Sequence, residues 1–248
     1  MKKAVSIIFL ILNVLAALPA ASASDKISVA VEENFFSAFT EIAANFEEQT
    51  GVKVEATFSS TGDLYRRIKN GVPYDVFLAV DERWPDLLQQ EGWTDGTFIY
   101  ARGPTILWSA DGEFCKAPTW QDALKSDRIR KVSMVHPVAD AYGAAAKTAL
   151  QKAGLWEALQ GKLVNGPDSG KVFRHVVMQA ADAGFCAHAA QTGRQGEEGC
   201  FFSISEAPDV LQTGCILRKA VNPRCAELFM AYLLGADAAK TKKKYGFR

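Results

Sequence analysis

The stretch FSSTGDLY, residues 58–65, reads as a strand that ends in hydroxyl residues and a glycine and turns at once into a helix. Ser59, Ser60 and Thr61 offer hydroxyl donors there. The first backbone N–H groups after Gly62 lack intrahelical partners and carry the positive end of the helix dipole. Such a junction suits a small anion. The plain alternative is a capped strand-to-helix turn with no ligand. The rest of the chain bears on the choice, because junctions of this kind recur.

On the N-terminal side, Lys26 to Val31 reads as a short strand. Phe35, Phe39, Ile42, Ala43 and Phe46 then recur at helical spacing until Gly51, and Val52 to Phe58 gives a second strand. On the C-terminal side, Leu64 to Ile68 gives a helix, Tyr74 to Val80 a buried strand, and Asp81 to Gln90 a helix with Trp84, Leu87 and Leu88 inward. This βαβ alternation predicts parallel sheets covered by helices. At Gly103-Pro104, between strands at Phe98 to Tyr100 and Thr105 to Ser109, the chain is expected to cross into a second lobe. There the scheme repeats: strand Lys131 to Val135, helix Tyr142 to Ala153, strand Lys162 to Val164, helix Gly170 to Ala181, strand Gly184 to Ala187. Cys215 to Lys219 is expected to cross back, with terminal helices at Pro223 to Leu234 and Ala236 to Tyr245. The expected division is a leader over 1–23, one lobe over 24–101 plus 214–248, and another over 102–213.

Four strand-to-helix junctions thus end in small or hydrogen-bonding residues: Glu33-Asn34, Ser60-Thr61-Gly62, Ala141-Tyr142-Gly143 and Asp168-Ser169-Gly170. Parallel sheets bind ligands beyond the carboxyl ends of their strands, so two junctions from each lobe are placed to face one cleft. Neutral donors would then hold a negative charge, since no Arg or Lys stands at the centre of these loops.

Of the 248 residues, the first 23 carry a leader pattern: Lys2 and Lys3, an apolar run from Val5 to Leu18, and a small-residue cleavage site at Ala21-Ser22-Ala23. This predicts a soluble, exported protein, about Ser24 to Arg248. Removal of the leader would leave 26 basic residues against 28 acidic ones, a formal charge of about −2, with no basic face for nucleic acid. The Lys240 to Lys244 run reads as the exposed face of a final helix. Five cysteines, an odd number, leave the pairing open, and neither they nor the three histidines form a metal-ligand pattern.

Five blocks, in order, carry a family resemblance: VAVEENFF, FSSTGDLYRRIKNGVPYDVFLAVDERWPDLL, FIYARGPTILWSADG, HPVADAYGAAA and DAGFCAHA. Over essentially the whole exported part, the chain resembles the periplasmic molybdate-binding proteins of ABC transporters. The resemblance implies an α/β, two-lobed periplasmic binding protein fold of type II, each lobe a mainly parallel sheet flanked by helices. It also implies that molybdate or tungstate is held dry between the lobes by hydroxyls and backbone amides. No cofactor and no catalysis are implied, and a membrane permease is the implied partner of a monomer. Carried over by position, Asn34 matches the first-loop residue, Ser60 and Thr61 the hydroxyl loop, Tyr142 a tyrosine whose hydroxyl reaches the oxyanion, and Ser169 a backbone-amide donor.

The chain departs from that pattern at Glu33, where relatives carry a small or hydroxyl residue, at Ser169, often valine, and at Ala141, often proline. A carboxylate at Glu33 beside a dianion would be costly, so either its side chain points away or the ligand differs. Lys171 and Arg174 are candidates to offset it, and Asp140 is expected to cap a helix. The alternatives are the same scaffold with sulfate, phosphate or an organic ion, and, less favoured, an exported enzyme, for which no nucleophile elbow or zinc motif is present.

Overall fold

Lys26–Glu32 forms strand β1, which buries Ile27 and every residue from Val29 to Glu32, the pattern of a strand covered by helices on both faces. A computed structural model describes residues 26–192 and 194–248, the side chains of 194 and 195 excepted. The leader expected over 1–23 lies outside the described residues. β1 lies between β2 (Lys53–Ser59) and β3 (Val76–Ala79), parallel to both. β4 (Phe98–Gly103) forms one edge of this sheet, and β10 (Val210–Ile216) runs antiparallel between β3 and β4. The expected return strand at Cys215 to Lys219 therefore begins earlier and sits inside the first sheet.

The helices of this lobe follow from their apolar spacing. α1 (Phe36–Thr50) buries Ala38, Phe39, Ile42 and Phe46 and stops at Gly51, whose φ of 75° favours glycine. Its aromatic stripe packs on Phe229 of α9 (Pro223–Leu233), with ring centroids 5.8 Å from Phe39 and 5.2 Å from Phe46. α2 (Thr61–Lys69) and α3 (Arg83–Gln90) cover the other face through Leu64, Ile68 and Leu88, with Trp84 partly buried against them. In α10 (Ala236–Lys244) the lysine run is not uniformly solvated. Lys242 is buried, and its ammonium donates to the carbonyls of Tyr100 at 2.6 Å and Leu233 at 3.0 Å.

The second sheet has the order β7 (Leu163–Gly166), β6 (Val132–Val135), β8 (Ala183–Ala187), β5 (Thr105–Ser109), β9 (Cys200–Ser203). β6 runs parallel to β7 and β8, and β5 antiparallel to β8 and β9. α5 (Ala141–Lys152) and α7 (Ser169–Val177) cover its faces. α4 (Trp120–Lys125), α6 (Trp156–Leu159), α8 (Arg194–Glu197) and the edge strand β9 are short, and the sequence pattern did not announce them. One disulfide, Cys115–Cys200, ties β9 to the turn at Phe114–Lys116, while Cys186 and Cys215 are buried thiols. No described helix is long and apolar enough to cross a membrane.

The two sheets repeat one plan: β2, β1, β3, β10 and β4 occupy the places of β7, β6, β8, β5 and β9. The correspondence reaches single side chains. Asp75, just before β3, accepts the N–H of Ser28 at 2.7 Å, and Asp182, just before β8, accepts those of Arg130 and Lys131 at 2.7 and 2.8 Å.

Candidate functional site

The carboxyl ends of β1 and β3 in one lobe approach the starts of α5 and α7 in the other: Glu32 feels the charges of Asp140 and Asp168, and Asp81 that of Asp140. The tightest geometry lies where α2 and α7 begin. Thr61 is the first residue of α2, and its Oγ1 accepts the N–H of Val80, just past β3, at 3.1 Å. Ser169 is the first residue of α7, and its Oγ accepts the N–H of Ala187, the last residue of β8, at 2.6 Å. Thr61 is 5 % exposed and Ser169 fully buried. Each hydroxyl has accepted one bond and keeps its own proton to donate. Ser60 precedes α2 without a side-chain cap and is exposed, while its carbonyl takes the N–H groups of Asp63 and Leu64 at 3.0 Å each. Ser59, the last residue of β2, is committed to α2, donating to Asp63 at 2.8 Å.

Val80 and Ala187 pack with Tyr142, Ala145 and Val210 in one buried apolar cluster that joins the lobes. Tyr142 is completely buried, and its hydroxyl accepts from Gln212 Nε2 at 3.0 Å. The Oε1 of the same Gln212 lies 3.2 Å from the hydroxyl of Tyr100, which also reaches the Ala79 carbonyl at 3.0 Å. Gly103 makes room for this arrangement: a Cβ there would stand 2.0 Å from the Tyr142 hydroxyl. Burial, and next the charge of Glu32, hold the Tyr142 phenol well above its usual range, so it stays a donor.

The other junctions differ from the neutral cradle that the sequence suggests. Asp140 caps α5, accepting the N–H groups of Tyr142 at 2.8 Å and Gly143 at 3.2 Å, as expected of a capping residue. Asp168 caps α7 at the N–H of Lys171, 2.7 Å away. At the end of β1 the carboxylate turned inward belongs to Glu32, 7 % exposed, whose Oε2 accepts the N–H of Asn34 at 2.9 Å. Glu33 is exposed and Asn34 half-buried. Lys171 is exposed and pairs with Asp168 at 2.7 Å, and Arg174 is exposed as well.

Electrostatics follow from this crowding. Burial pushes the Glu32 carboxyl up to about 8; the Asn34 N–H opposes the shift, and Asp140, Glu33 and Asp168 add to it. Burial likewise raises Asp140, against the N–H groups of Gly143 and Tyr142, and raises Asp81, which lies within reach of Asp140. One oxygen of Asp81, Oδ1, is buried with no hydrogen-bond partner among the described residues. No group of three or more His, Cys, Asp or Glu able to hold a metal ion occurs among the described residues.

Glu32, Asp81 and Gln212 are the residues that sequence reasoning passed over. Their signal was present, since each is polar within or at the end of a strand whose neighbours are apolar: VAVE, VFLAVD and VLQTGCI. Glu32 and Gln212, within a sheet covered on both faces, cannot turn to solvent, so each must face a partner or a site.

Comparison with known proteins agrees with this architecture. Residues 27–248 match the family model described as bacterial extracellular solute-binding protein. The chain is 34% identical to the molybdate-binding protein ModA of Azotobacter vinelandii over 240 residues, covering 93% of this chain and 92% of that one. It is 31% identical to ModA of Rhodobacter capsulatus over 233 residues, covering 93% and 90%. Its structure is similar to that of the Azotobacter vinelandii periplasmic molybdate-binding protein, with a TM-score of 0.78 and 28% identity over 90% of this chain and 98% of that one. The chain belongs to the bacterial extracellular solute-binding protein family.

Proposed function

We propose that this protein captures a tetrahedral oxyanion, molybdate or tungstate, between its two lobes outside the cytoplasm and delivers it to the membrane permease of an ABC transporter. The observation that carries the reading is the matched pair of hydroxyls, Thr61 and Ser169. Each is the first residue of a helix and each is fixed by a strand-end amide, one in each lobe. Fixed donors at two helix starts suit an anion held by its oxygens, without a ligand to the metal itself. Asn34, Ser60 and Tyr142 complete the proposed contacts, and the names of the relatives support the choice of ligand. Glu33, exposed on the turn, is proposed to lie at the rim with only its backbone near the ligand.

The lobes, expected to divide as 24–101 plus 214–248 and 102–213, are proposed to hinge just beyond those bounds, beside Gly103 and Val210, because β4 and β10 pair within the first sheet as far as those two residues. The mature protein is proposed to be a periplasmic monomer, cut after a leader, that binds without chemistry or cofactor. Selectivity against sulfate would come from donors spaced for a larger tetrahedron.

Titration calorimetry of anion-stripped protein with molybdate, tungstate, sulfate and phosphate tests the reading. Tight one-to-one binding of the first two, weakened by Thr61→Ala, is expected; silence toward all four overturns it. A small amine is the second reading, favoured by the unpartnered Asp81 Oδ1. Heat from a short diamine, with none from the anions, would select it.

A further inference from the structure

The junction at the end of β1 carries a carboxyl group where an anion site has least use for one. Glu32 is the last residue of a buried parallel strand, 7 % exposed, and the N–H of Asn34 anchors its Oε2 at 2.9 Å. Its other oxygen is left to carry a proton. The groups that act on it are Asp140 ahead of α5, Asp168 ahead of α7 and Glu33 on its own turn, all acidic. The phenols of Tyr100 on β4 and Tyr142 on α5 feel its charge, and Tyr100 feels Asp81 beyond β3 in the same way. Neither Lys, Arg nor His stands among these groups.

We propose that Glu32 is a ligand-contacting, specificity-determining residue that carries a proton: the cleft closes on a fully ionised oxyanion with the Glu32 carboxyl protonated and donating to one ligand oxygen. This rests on the oxyanion reading above. The step balances as one carboxylate, one proton from solvent and one dianion going to a carboxylic acid hydrogen-bonded to the bound dianion; release returns the proton. Like charges sharing a dry site do not both stay ionised, and of the groups present the ligand is the weaker base near neutral pH. Burial first, with Asp140, Glu33 and Asp168 adding to it and the Asn34 N–H opposing, holds the Glu32 carboxyl up to about 8 in the ligand-free protein, and a bound dianion raises it further. A ligand that brings its own proton would be held by the ionised form of the same carboxylate, so Glu32 also sets which protonation state of an oxyanion the cleft accepts.

The test is calorimetry with sodium molybdate in buffers of different ionisation heat, between about pH 6 and 9, on the mature protein and on Glu32→Gln and Glu32→Ala. The expected result is proton uptake that is small near pH 6 and rises toward one per molybdate as pH climbs through about 8, where the ligand-free carboxyl ionises, with an affinity that falls by up to about tenfold per unit rise in pH above that point. In Glu32→Gln, whose amide donates without gaining a proton, both the uptake and the pH slope vanish. Should that variant fail to fold, the proton count of the parent protein and of Glu32→Ala still decides. Molybdate binding with no proton uptake and no pH slope overturns the inference and leaves the oxyanion reading standing. Uptake that persists in Glu32→Gln also overturns it, placing the proton elsewhere. No heat from molybdate or tungstate at any pH brings down the oxyanion reading, and this inference with it.

Discussion

Thr61 and Ser169 hold the same place in two copies of one arrangement: each opens a helix and each receives, on its hydroxyl oxygen, the amide at the end of the neighbouring strand, Val80 in one lobe and Ala187 in the other. Those strand ends meet in the cluster around Tyr142 that joins the lobes. The hydroxyls therefore serve the fold and the site together, fixing the strand ends while their protons stay available.

Thr61→Val keeps the shape and removes the acceptor, so the buried N–H of Val80 loses its partner. The expected loss is about 1–3 kcal/mol of stability, as for any buried donor left unpaired, with a fall in melting temperature of about 2–4 °C per kcal/mol in a chain of this size. Ser169→Ala is expected to do the same to Ala187 in the other lobe. The two losses should add in thermal denaturation, since the sites sit in different lobes, but not in oxyanion affinity, where both act on one ligand. Additive affinity losses would argue that they do not share a ligand.

Tyr142 and Gly103 make a coupled pair. A Cβ on residue 103 would lie 2.0 Å from the Tyr142 hydroxyl and 3.0 Å from Gln212 Nε2, so Gly103→Ala must displace a fully buried side chain. Tyr142→Phe is expected to lower oxyanion affinity by roughly tenfold, the worth of one good hydrogen bond to a charged group. Gly103→Ala should lower it at least as much. Combined, the two should cost less than the product of the single effects, because the hydroxyl that the new methyl meets is gone. A full product of effects in the double variant would separate the positions.

The fold was legible because its signals are local and repeated. Apolar spacing placed α1, Gly51 marked its end, and the βαβ rhythm gave the parallel part of each sheet, β2-β1-β3 and β7-β6-β8. What escaped was short or set by pairing: β9 reads CFFS, too brief for a period, and β10 starts at Val210 because its antiparallel partner β4 extends that far. At the site, residue type located the junctions but not the direction of side chains. Two adjacent glutamates follow Val31, and only the strand's continuation through residue 32 sends one inward and leaves the other in water. Lys242 went the same way, since its helix face is settled by how α10 docks rather than by the lysine run itself.

The burial of Glu32 sets a pH dependence of stability with a definite sign. A carboxyl raised from 4.5 to about 8 in the folded protein binds its proton more tightly there than in the unfolded chain. Its contribution is fully present below about pH 4.5 and is lost as pH rises through about 8. The difference in stability between Glu32→Gln and the parent should therefore move in favour of the variant across that window, by a few kcal/mol at most. Denaturant unfolding of ligand-free protein at about pH 5 and 8.5 measures it. A difference that does not change with pH would mean that the ligand-free cleft leaves Glu32 in water.

The Cys115–Cys200 disulfide spans 85 residues of sequence and secures β9, an edge strand held on one side only by β5. Its removal in the Cys115→Ser/Cys200→Ser variant frees that strand and lengthens the loop to be closed in folding, with an expected loss of about 2–5 kcal/mol. One strand, β5, separates β9 and its disulfide from β8, at whose end Ala187 meets Ser169. Oxyanion affinity measured well below the melting temperature should accordingly stay within about twofold of the parent, while thermal unfolding under reducing and oxidising conditions should differ for the parent and coincide for the variant. An affinity that falls along with the melting temperature would show that the second sheet transmits the loss of its edge to the cleft, so that β9 belongs to the machinery that holds Ser169 in place.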